Sequence, residues 1–205
     1  MTNRIIVILG RKGSGKTYYA KQRVKAEKRV IFYDPMRQFS DCGVIVTEPL
    51  TFLEYLEANT GSFRVVYQPE LDIEDEDGLQ REFLTACKVA NCLTEYWLVL
   101  DEIDQYASDR RKGNILKNLI NRGRHYGASI LATTIRYTDT GRSLTAQADE
   151  IIAFNTHEPR DVEYLRTYFG QLADELSKLP AYHYLRYTAG QAEKCLPLPS
   201  PTLKK

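Results

Sequence analysis

The segment GRKGSGKT, from Gly10 to Thr17, constrains the fold of this 205-residue chain more than any other feature. The segment has the spacing G-x-x-x-x-G-K-[ST] and lies between an apolar run, RIIVIL, and a stretch of helical character. Glycines let backbone N–H groups turn inward around phosphate oxygens, and the amino end of the next helix adds a partial positive charge. The segment therefore predicts a phosphate-binding loop between a strand and a helix.

The residue types in this loop favour ATP and Mg²⁺ as ligands. Lys16 can reach the β- and γ-phosphates, and the Thr17 hydroxyl can hold Mg²⁺. An ordinary glycine turn with an incidental lysine is the alternative, which the strand–loop–helix context disfavours. The predicted nucleotide-binding residues are Arg11, Lys12, Gly13, Ser14, Gly15, Lys16, Thr17 and Tyr18.

A second pattern, LVLDE, ends in two adjacent carboxylates, Asp101 and Glu102. An aspartate at the end of an apolar strand can hold the Mg²⁺ water shell beside Thr17. A glutamate directly after that aspartate can polarise an attacking water as a general base. By analogy between classes of such proteins, the adjacent pair favours ATP hydrolysis coupled to motion, with Glu102 and Lys16 as catalytic residues.

Apolar runs alternate with segments of helical length along the chain, which predicts an α/β fold with a mostly parallel sheet. We expect one domain, with a core at about 1–155, a C-terminal helical and hairpin extension at 156–196 and a loose tail at 197–205. Strands are predicted at 4–9, 29–34, 43–46, 63–67, 96–102, 128–134 and 150–154. Helices are predicted at 16–27, 49–59, 79–91, 110–122 and 160–169, and a terminal hairpin at 182–187 and 192–196.

Charge and composition exclude little by themselves. Lys and Arg number 28 and Asp and Glu 27, so the net charge of +1 does not indicate nucleic acid, although a local patch can. No apolar run approaches the roughly 18 residues of a membrane span, and the first run ends without a signal-peptide cleavage site. The four cysteines lack C-x-x-C spacing, which favours reduced thiols in the cytoplasm. The acidic stretch from Glu70 to Asp77 is predicted to be a solvated loop, with a metal site as the alternative.

Polar residues follow the carboxylate pair along the chain. Arg122 and Arg124 end a basic helix, where an arginine can stabilise phosphate charge in a neighbouring subunit; solvated surface arginines are the alternative. Thr133 and Thr134 end the next strand, where a polar sensor can orient the water or the γ-phosphate; an ordinary strand end is the alternative. Thr134 is the predicted sensor.

The segment DQYASDRRKG follows the carboxylate strand and is polar, basic at its end and glycine-containing. Because the segment closely follows the two carboxylates, a change in the bound nucleotide can alter its conformation. We therefore expect Arg110, Arg111 and Lys112 to contact DNA phosphates.

Together, the phosphate loop, the Asp-Glu strand, the arginine-rich loop, the ATT strand and QADEIIAF (Gln147 to Phe154) resemble the FtsK–HerA superfamily of DNA-pumping ATPases. Within that superfamily, the compact size of the chain and its segment FRVVYQP (Phe63 to Pro69) are most similar to those of the genome-packaging ATPases of icosahedral viruses with an internal membrane. The resemblance covers roughly Arg4 to Phe154. The chain departs from the family at one point. The family often has a glutamine after the ATT strand, whereas this chain has Ile135 and then Arg136. Thr134 would then take the place of that glutamine as the sensor.

This resemblance implies a RecA-like (ASCE) P-loop NTPase fold and a ring, typically a hexamer. It also implies ATP-driven movement of double-stranded DNA through a central pore, with Arg122 or Arg124 as the trans-acting arginine. Capsid vertex or portal proteins are further partners, and the expected location is the cytoplasm of the infected cell and the packaging vertex of the virion.

Three other readings stay open at this stage. The first is also an ATP-driven motor but acts on a different cargo or in a different process: a Zot-like ATPase of phage assembly or a HerA-type helper of DNA processing. A monomeric P-loop kinase acting on a small metabolite belongs to another class. A nucleotide-dependent interaction module without catalysis is disfavoured by the intact Lys16, Thr17, Asp101 and Glu102.

Overall fold

Strands and helices alternate along the described part of the chain. The computed structural model describes residues 3–71, 75–106, 120–121, 123, 126–136 and 142–199, without the side chains of residues 142 and 143. The strands are β1 (Ile5–Leu9), β2 (Arg29–Tyr33), β3 (Val44–Val46), β4 (Phe63–Tyr67), β5 (Trp97–Leu100), β6 (Ser129–Thr134), β7 (Glu150–Phe154), β8 (Tyr184–Thr188) and β9 (Gln191–Cys195). The helices are α1 (Lys16–Arg23), α2 (Pro49–Ala58), α3 (Glu76–Ala90), α4 (Arg142–Thr145) and α5 (Pro159–Phe169), with 3₁₀ helices at Ile103–Gln105 and Gly170–Lys178.

These strands form one sheet in the order β3-β4-β2-β5-β6-β1-β7-β8-β9. The pairs among β1 to β7 are parallel, and β8 and β9 add an antiparallel hairpin at one edge. The predicted mostly parallel sheet with a C-terminal hairpin is therefore confirmed. Because parallel strands point the same way, the segments that follow β1, β2, β5 and β6 meet at one edge of the sheet.

The inner strands of the sheet are buried on both faces, whereas the edge strands β3 and β9 are largely exposed. Side chains alternate between the two faces along each strand. Ile6 and Ile8 of β1 belong to the apolar cluster that contains Tyr19 of α1. Val7 belongs to the cluster that contains Phe83 of α3, and a third cluster joins β7 to α5 and the second 3₁₀ helix. Packing of β1 and α1 in one cluster fixes the position of the loop between them.

Helix α1 ends at Arg23, earlier than the predicted end at Glu27. The reason is Arg64 on β4, whose Nη1 donates to the carbonyl oxygens of Val24 at 2.9 Å and Glu27 at 2.8 Å. Its Nε donates to the carbonyl oxygen of Cys42 at 3.0 Å. Because the guanidinium satisfies carbonyls at the helix end, the chain turns there and enters β2.

Helix α3 begins at Glu76, before the predicted start at Leu79. The carboxylate of Asp75 accepts a hydrogen bond from the N–H of Gly78 at 2.8 Å and caps the helix. Negative charge in the first turn also complements the helix dipole. The predicted solvated loop is therefore wrong for its last two residues, and residues 72–74 lie outside the described part of the chain.

The hairpin lies slightly displaced from its predicted bounds, because the turn is shorter than expected. Ala189 and Gly190 have φ values of 50° and 81°, as a two-residue turn between twisted strands requires. Beyond β9, Leu198 packs against the cluster that contains Tyr19, and the Tyr18 hydroxyl donates to the carbonyl oxygen of Pro199.

In the described ranges, no helix has both the length and the apolar character that crossing a membrane requires.

Candidate nucleotide-binding site

The loop between β1 and α1 has glycines where larger residues do not fit. Gly10 has φ of 152°, and a Cβ there would lie 2.6 Å from the Cβ of Phe154. Gly15 has φ of 115°, and a Cβ there would lie 2.8 Å from Cδ1 of Tyr182. The shape of this loop therefore depends on β7 and on the C-terminal segment as well as on its own glycines.

Lys16 is the first residue of α1, and its side chain is buried. The Nζ atom donates to the carbonyl oxygens of Gly10 at 2.8 Å and Arg11 at 3.2 Å. Burial lowers the pKa of Lys16, while the carboxylates of Glu102 and Asp101 act in the opposite direction. The loop thus holds an ammonium group whose charge suits phosphate oxygens.

A cleft of about 320 Å³ opens beside this loop. It brings Glu102 together with all the predicted nucleotide-binding residues except Arg11 and Ser14. The exposed Arg11 has its Nη1 3.2 Å from Nε2 of His157, and the buried Ser14 hydroxyl has no hydrogen-bond partner within the described ranges. The cleft is lined by Lys12, Gly13, Gly15, Lys16, Thr17, Tyr18, Gln38, Glu102 and Tyr182.

Asp101 directly follows β5 and is 1% exposed. Its Oδ1 accepts a hydrogen bond from Thr133 Oγ1 at 2.7 Å, whereas Oδ2 has no hydrogen-bond partner in the described part of the chain. Burial raises the pKa of Asp101 to about 6, and the charges of Glu102 and Asp34 add to this rise. An unpartnered oxygen of a buried carboxylate suits a cation or an ordered water.

Glu102 has a left-handed backbone, with φ of 46°, that turns the chain sharply at the end of β5. Its N–H donates to Thr133 Oγ1 at 2.9 Å, and its carboxylate accepts a hydrogen bond from Gln105. Burial raises the pKa of Glu102, although Lys16 lowers it. Left-handed backbone at a residue other than glycine is uncommon and clusters at functional sites. A half-buried carboxylate with a raised pKa accepts a proton more readily than an exposed one.

Two adjacent buried threonines end β6, and they contact different groups. The Thr133 hydroxyl bridges Asp101 and Glu102 through the two bonds given above. The Thr134 hydroxyl lies 2.9 Å from Oδ1 of Asp104 and 2.8 Å from the carbonyl oxygen of Arg136. Thr133 thus fixes the two carboxylates relative to each other, and the sensor role of Thr134 stays a prediction.

Asp34 is a further fully buried carboxylate at this edge of the sheet, and our sequence analysis missed it. It accepts hydrogen bonds from the N–H groups of Gln38 and Phe39 and from the amide of Gln68, each at 2.8 Å. These bonds organise the turn after β2 that carries Gln38 into the cleft. The available signal was an apolar strand that ends in aspartate, the same pattern as at Asp101.

The oxygen atoms in this region fit Mg²⁺. Thr17, which has a hydroxyl, lines the cleft, and Asp101 carries the unpartnered oxygen. Within the described ranges, no group of three or more His, Cys, Asp or Glu side chains is arranged to hold a metal ion. Mg²⁺ typically binds through one or two carboxylates together with substrate phosphates and waters, so a nucleotide would complete its coordination.

Five predicted residues lie outside the described part of the chain, so their functions stay predictions. They comprise the expected DNA contacts and the expected arginine finger: Arg110, Arg111, Lys112, Arg122 and Arg124.

Replacing Thr133 by valine is expected to destabilise the fold by about 1–3 kcal/mol, since the buried carboxylate of Asp101 loses its donor and the partly buried N–H of Glu102 loses its acceptor. Loss of the same donor is also expected to raise the pKa of Asp101. Chemical unfolding at pH 7.5 measures the stability change. Thr133→Ser keeps the hydroxyl and is expected to retain most of the stability. Equal stability of Thr133→Val and the unchanged chain would contradict this assignment.

No protein-family model and no curated protein matches the sequence. Solved structures do match. The chain is similar to the genome packaging NTPase B204 from Sulfolobus turreted icosahedral virus 2 in complex with ATP-gammaS, at 23% identity and a TM-score of 0.75, over 96% of this chain and 98% of that one. It is similar to B204, the DNA-packaging ATPase from Sulfolobus Turreted Icosahedral Virus, at 24% identity and a TM-score of 0.72, over 97% and 100% of the two chains.

A third match is VirB4 of Thermoanaerobacter pseudethanolicus, at 13% identity and a TM-score of 0.74, over 98% of this chain and 91% of that one. Likeness at such identities shows the fold. The predicted RecA-like fold is therefore confirmed, and the likeness in structure extends along nearly the whole chain.

Proposed function

We propose that this chain is an ATP-hydrolysing motor that translocates double-stranded DNA and packages a viral genome into a preformed capsid. The observation that carries the proposal is the cleft in which the phosphate loop, with Lys16 and Thr17, faces Glu102. Asp101, with its unpartnered oxygen, lies next to Glu102 at the end of β5.

The chemistry proposed for this cleft is hydrolysis of the γ-phosphate by water. Lys16 neutralises charge on the β- and γ-phosphate oxygens, and Glu102 accepts a proton from the attacking water. Thr17 and Asp101 would hold Mg²⁺, which supplies further neutralisation of phosphate charge when bound. Thr133 keeps both carboxylates in place, and Thr134 is the proposed sensor of the γ-phosphate.

Coupling to DNA is the finer part of the proposal. It is supported by the end-to-end likeness in fold to two proteins described as packaging DNA or genomes. We assign DNA phosphate contacts to Arg110, Arg111 and Lys112, and the arginine that acts on a neighbouring subunit to Arg122 or Arg124. A hexameric ring would build the DNA channel. Capsid vertex or portal proteins would be partners, in the infected cell's cytoplasm and at the virion's packaging vertex.

The test is the ATPase rate with and without double-stranded DNA, read alongside the assembly state by native mass spectrometry. DNA is expected to stimulate hydrolysis and a ring to form. In the triple variant R110A/R111A/K112A, stimulation is expected to fall and its salt dependence to flatten, because fewer counterions are released. Unchanged stimulation would overturn the assigned DNA contacts. A monomer that ignores DNA and phosphorylates a small metabolite would instead support the kinase alternative.

A further inference from the structure

Two tyrosines lie next to each other in the lining of the cleft. Tyr18 lies in α1 directly after Thr17, and Tyr182 lies just before β8; both line the cleft. Their ring centroids are 6.0 Å apart, and the ring planes are nearly perpendicular at 86°. Tyr182 is 48% exposed, so this lining residue remains accessible to a ligand.

The position of Tyr182 is fixed by the phosphate loop itself. Its N–H donates to the carbonyl oxygen of Ser14 at 3.0 Å, and its backbone is left-handed with φ of 65°. Gly15 lies so close beneath the ring that it has no room for a side chain. The side-chain amide of Asn155, directly after β7, donates to the carbonyl oxygen of Leu179 at 2.7 Å and anchors the segment that leads to Tyr182. An exposed ring held this firmly is preorganised for a ligand.

The cleft lining combines two kinds of chemistry. Lys12 and Lys16 supply positive charge beside the loop, where phosphates bind at backbone N–H groups and the amino end of α1. The two tyrosines add aromatic surface to the same lining, and an aromatic face stabilises a flat π-system. Among the described lining residues, Thr17 and Gln38 supply the uncharged polar side chains besides the two tyrosines.

We propose that Tyr182, supported edge-on by Tyr18, stacks on the base of the bound nucleotide. The proposal rests on the proposed function, since the nucleotide phosphates must occupy the Gly10–Thr17 loop. Stacking accepts any base face, and the lining offers few groups for reading base edges, so purine nucleotides of either kind are expected to bind with similar affinity.

The experiment is calorimetric titration of the whole chain with three ligands: the non-hydrolysable β,γ-methylene analogues of ATP and GTP, and inorganic tripolyphosphate. In Tyr182→Ala, the Kd of both nucleotides is expected to rise by about 5- to 150-fold, the range given by base–aromatic stacking. The Kd of tripolyphosphate, which has no base, is expected to stay unchanged. Tyr182→Phe keeps the ring and is expected to bind all three ligands as the unchanged chain does.

Tyr182→Leu keeps an apolar contact over Gly15 but has no aromatic face, and it is expected to behave as the alanine variant. Equal weakening of tripolyphosphate and nucleotides in either variant would show that Tyr182 only shapes the loop, and would overturn the proposal. Unchanged nucleotide binding in both variants would overturn it as well. If the unchanged chain binds neither tripolyphosphate nor nucleotide, the proposed function itself fails, which is a different result.

Discussion

Glu102→Gln is expected to lower the rate of ATP hydrolysis by about 10²–10⁴-fold, the contribution usual for a general base. The amide has nearly the same shape as the carboxylate, but it cannot accept the proton of the attacking water. The backbone N–H of residue 102 still bonds to Thr133, so the turn after β5 is expected to keep its geometry. ATP binding through the loop and Lys16 is expected to persist.

Phosphate release and equilibrium ATP binding measure the two halves of this prediction. Glu57→Gln makes the same chemical change at an exposed position of α2, remote from the cleft, and is the matched control. A turnover of Glu102→Gln close to that of this control would refute the general-base assignment. Loss of ATP binding would instead mean that Glu102 shapes the cleft.

Asp101→Asn is expected to raise the stability of the metal-free protein while it lowers ATP turnover. Burial raises the pKa of Asp101 from 3.8 to about 6, so at pH 7.5 the fold carries an ionised carboxylate that water would solvate better. That shift corresponds to a stabilisation of up to about 3 kcal/mol when the charge is removed. Asparagine still offers an oxygen to Thr133. Turnover with Mg²⁺ is expected to fall at least about a hundredfold, because a ligand of the ion is lost.

The contribution of Asp101 to the free energy of unfolding depends on pH. Between pH 4 and 6 the folded chain binds more protons at Asp101 than the unfolded chain does, so this group's contribution to stability decreases as pH rises through that window. The advantage of Asp101→Asn is therefore expected at pH 7.5 and to vanish below about pH 4. Chemical unfolding in buffer with a chelator, at both pH values, measures it. A variant less stable than the unchanged chain at pH 7.5 would contradict the prediction.

Local patterns in the sequence predicted much of the fold and the central part of the site. Mostly apolar runs located β1, β4 and β7 to within a residue, because strands buried on both faces consist largely of apolar side chains. The spacing from Gly10 to Thr17 predicted the phosphate loop, because phosphate binding requires glycines, a lysine and a hydroxyl at fixed positions along the chain. Asp101 and Glu102 followed from the same logic, an apolar strand that ends in carboxylates.

What the sequence left open depends on contacts between distant residues. The end of α1 is determined by Arg64 on β4, which no pattern near Arg23 indicates. Thr133 and Thr134 are adjacent residues of the same type, so the sequence alone does not distinguish them. The geometry at the end of β6 shows that Thr133 bridges the two carboxylates. Tyr182 enters the cleft from the far end of the chain, so motif spacing around the phosphate loop could not reveal it.

The sheet order also governs when the phosphate loop can form. β1 pairs with β6 through Ile5 and Ile130 and with β7 through Ile6 and Glu150, and it pairs with no strand that lies between it and β6 in the sequence. Contacts so far apart along the chain are slow to form, because a long stretch must be ordered first. During synthesis the strand that precedes the phosphate loop is made before the other described strands, yet it gains both neighbours only after Phe154 has emerged. A nucleotide bound at this loop would therefore stabilise the chain only after β7 has formed, and it would not assist the earlier steps of folding.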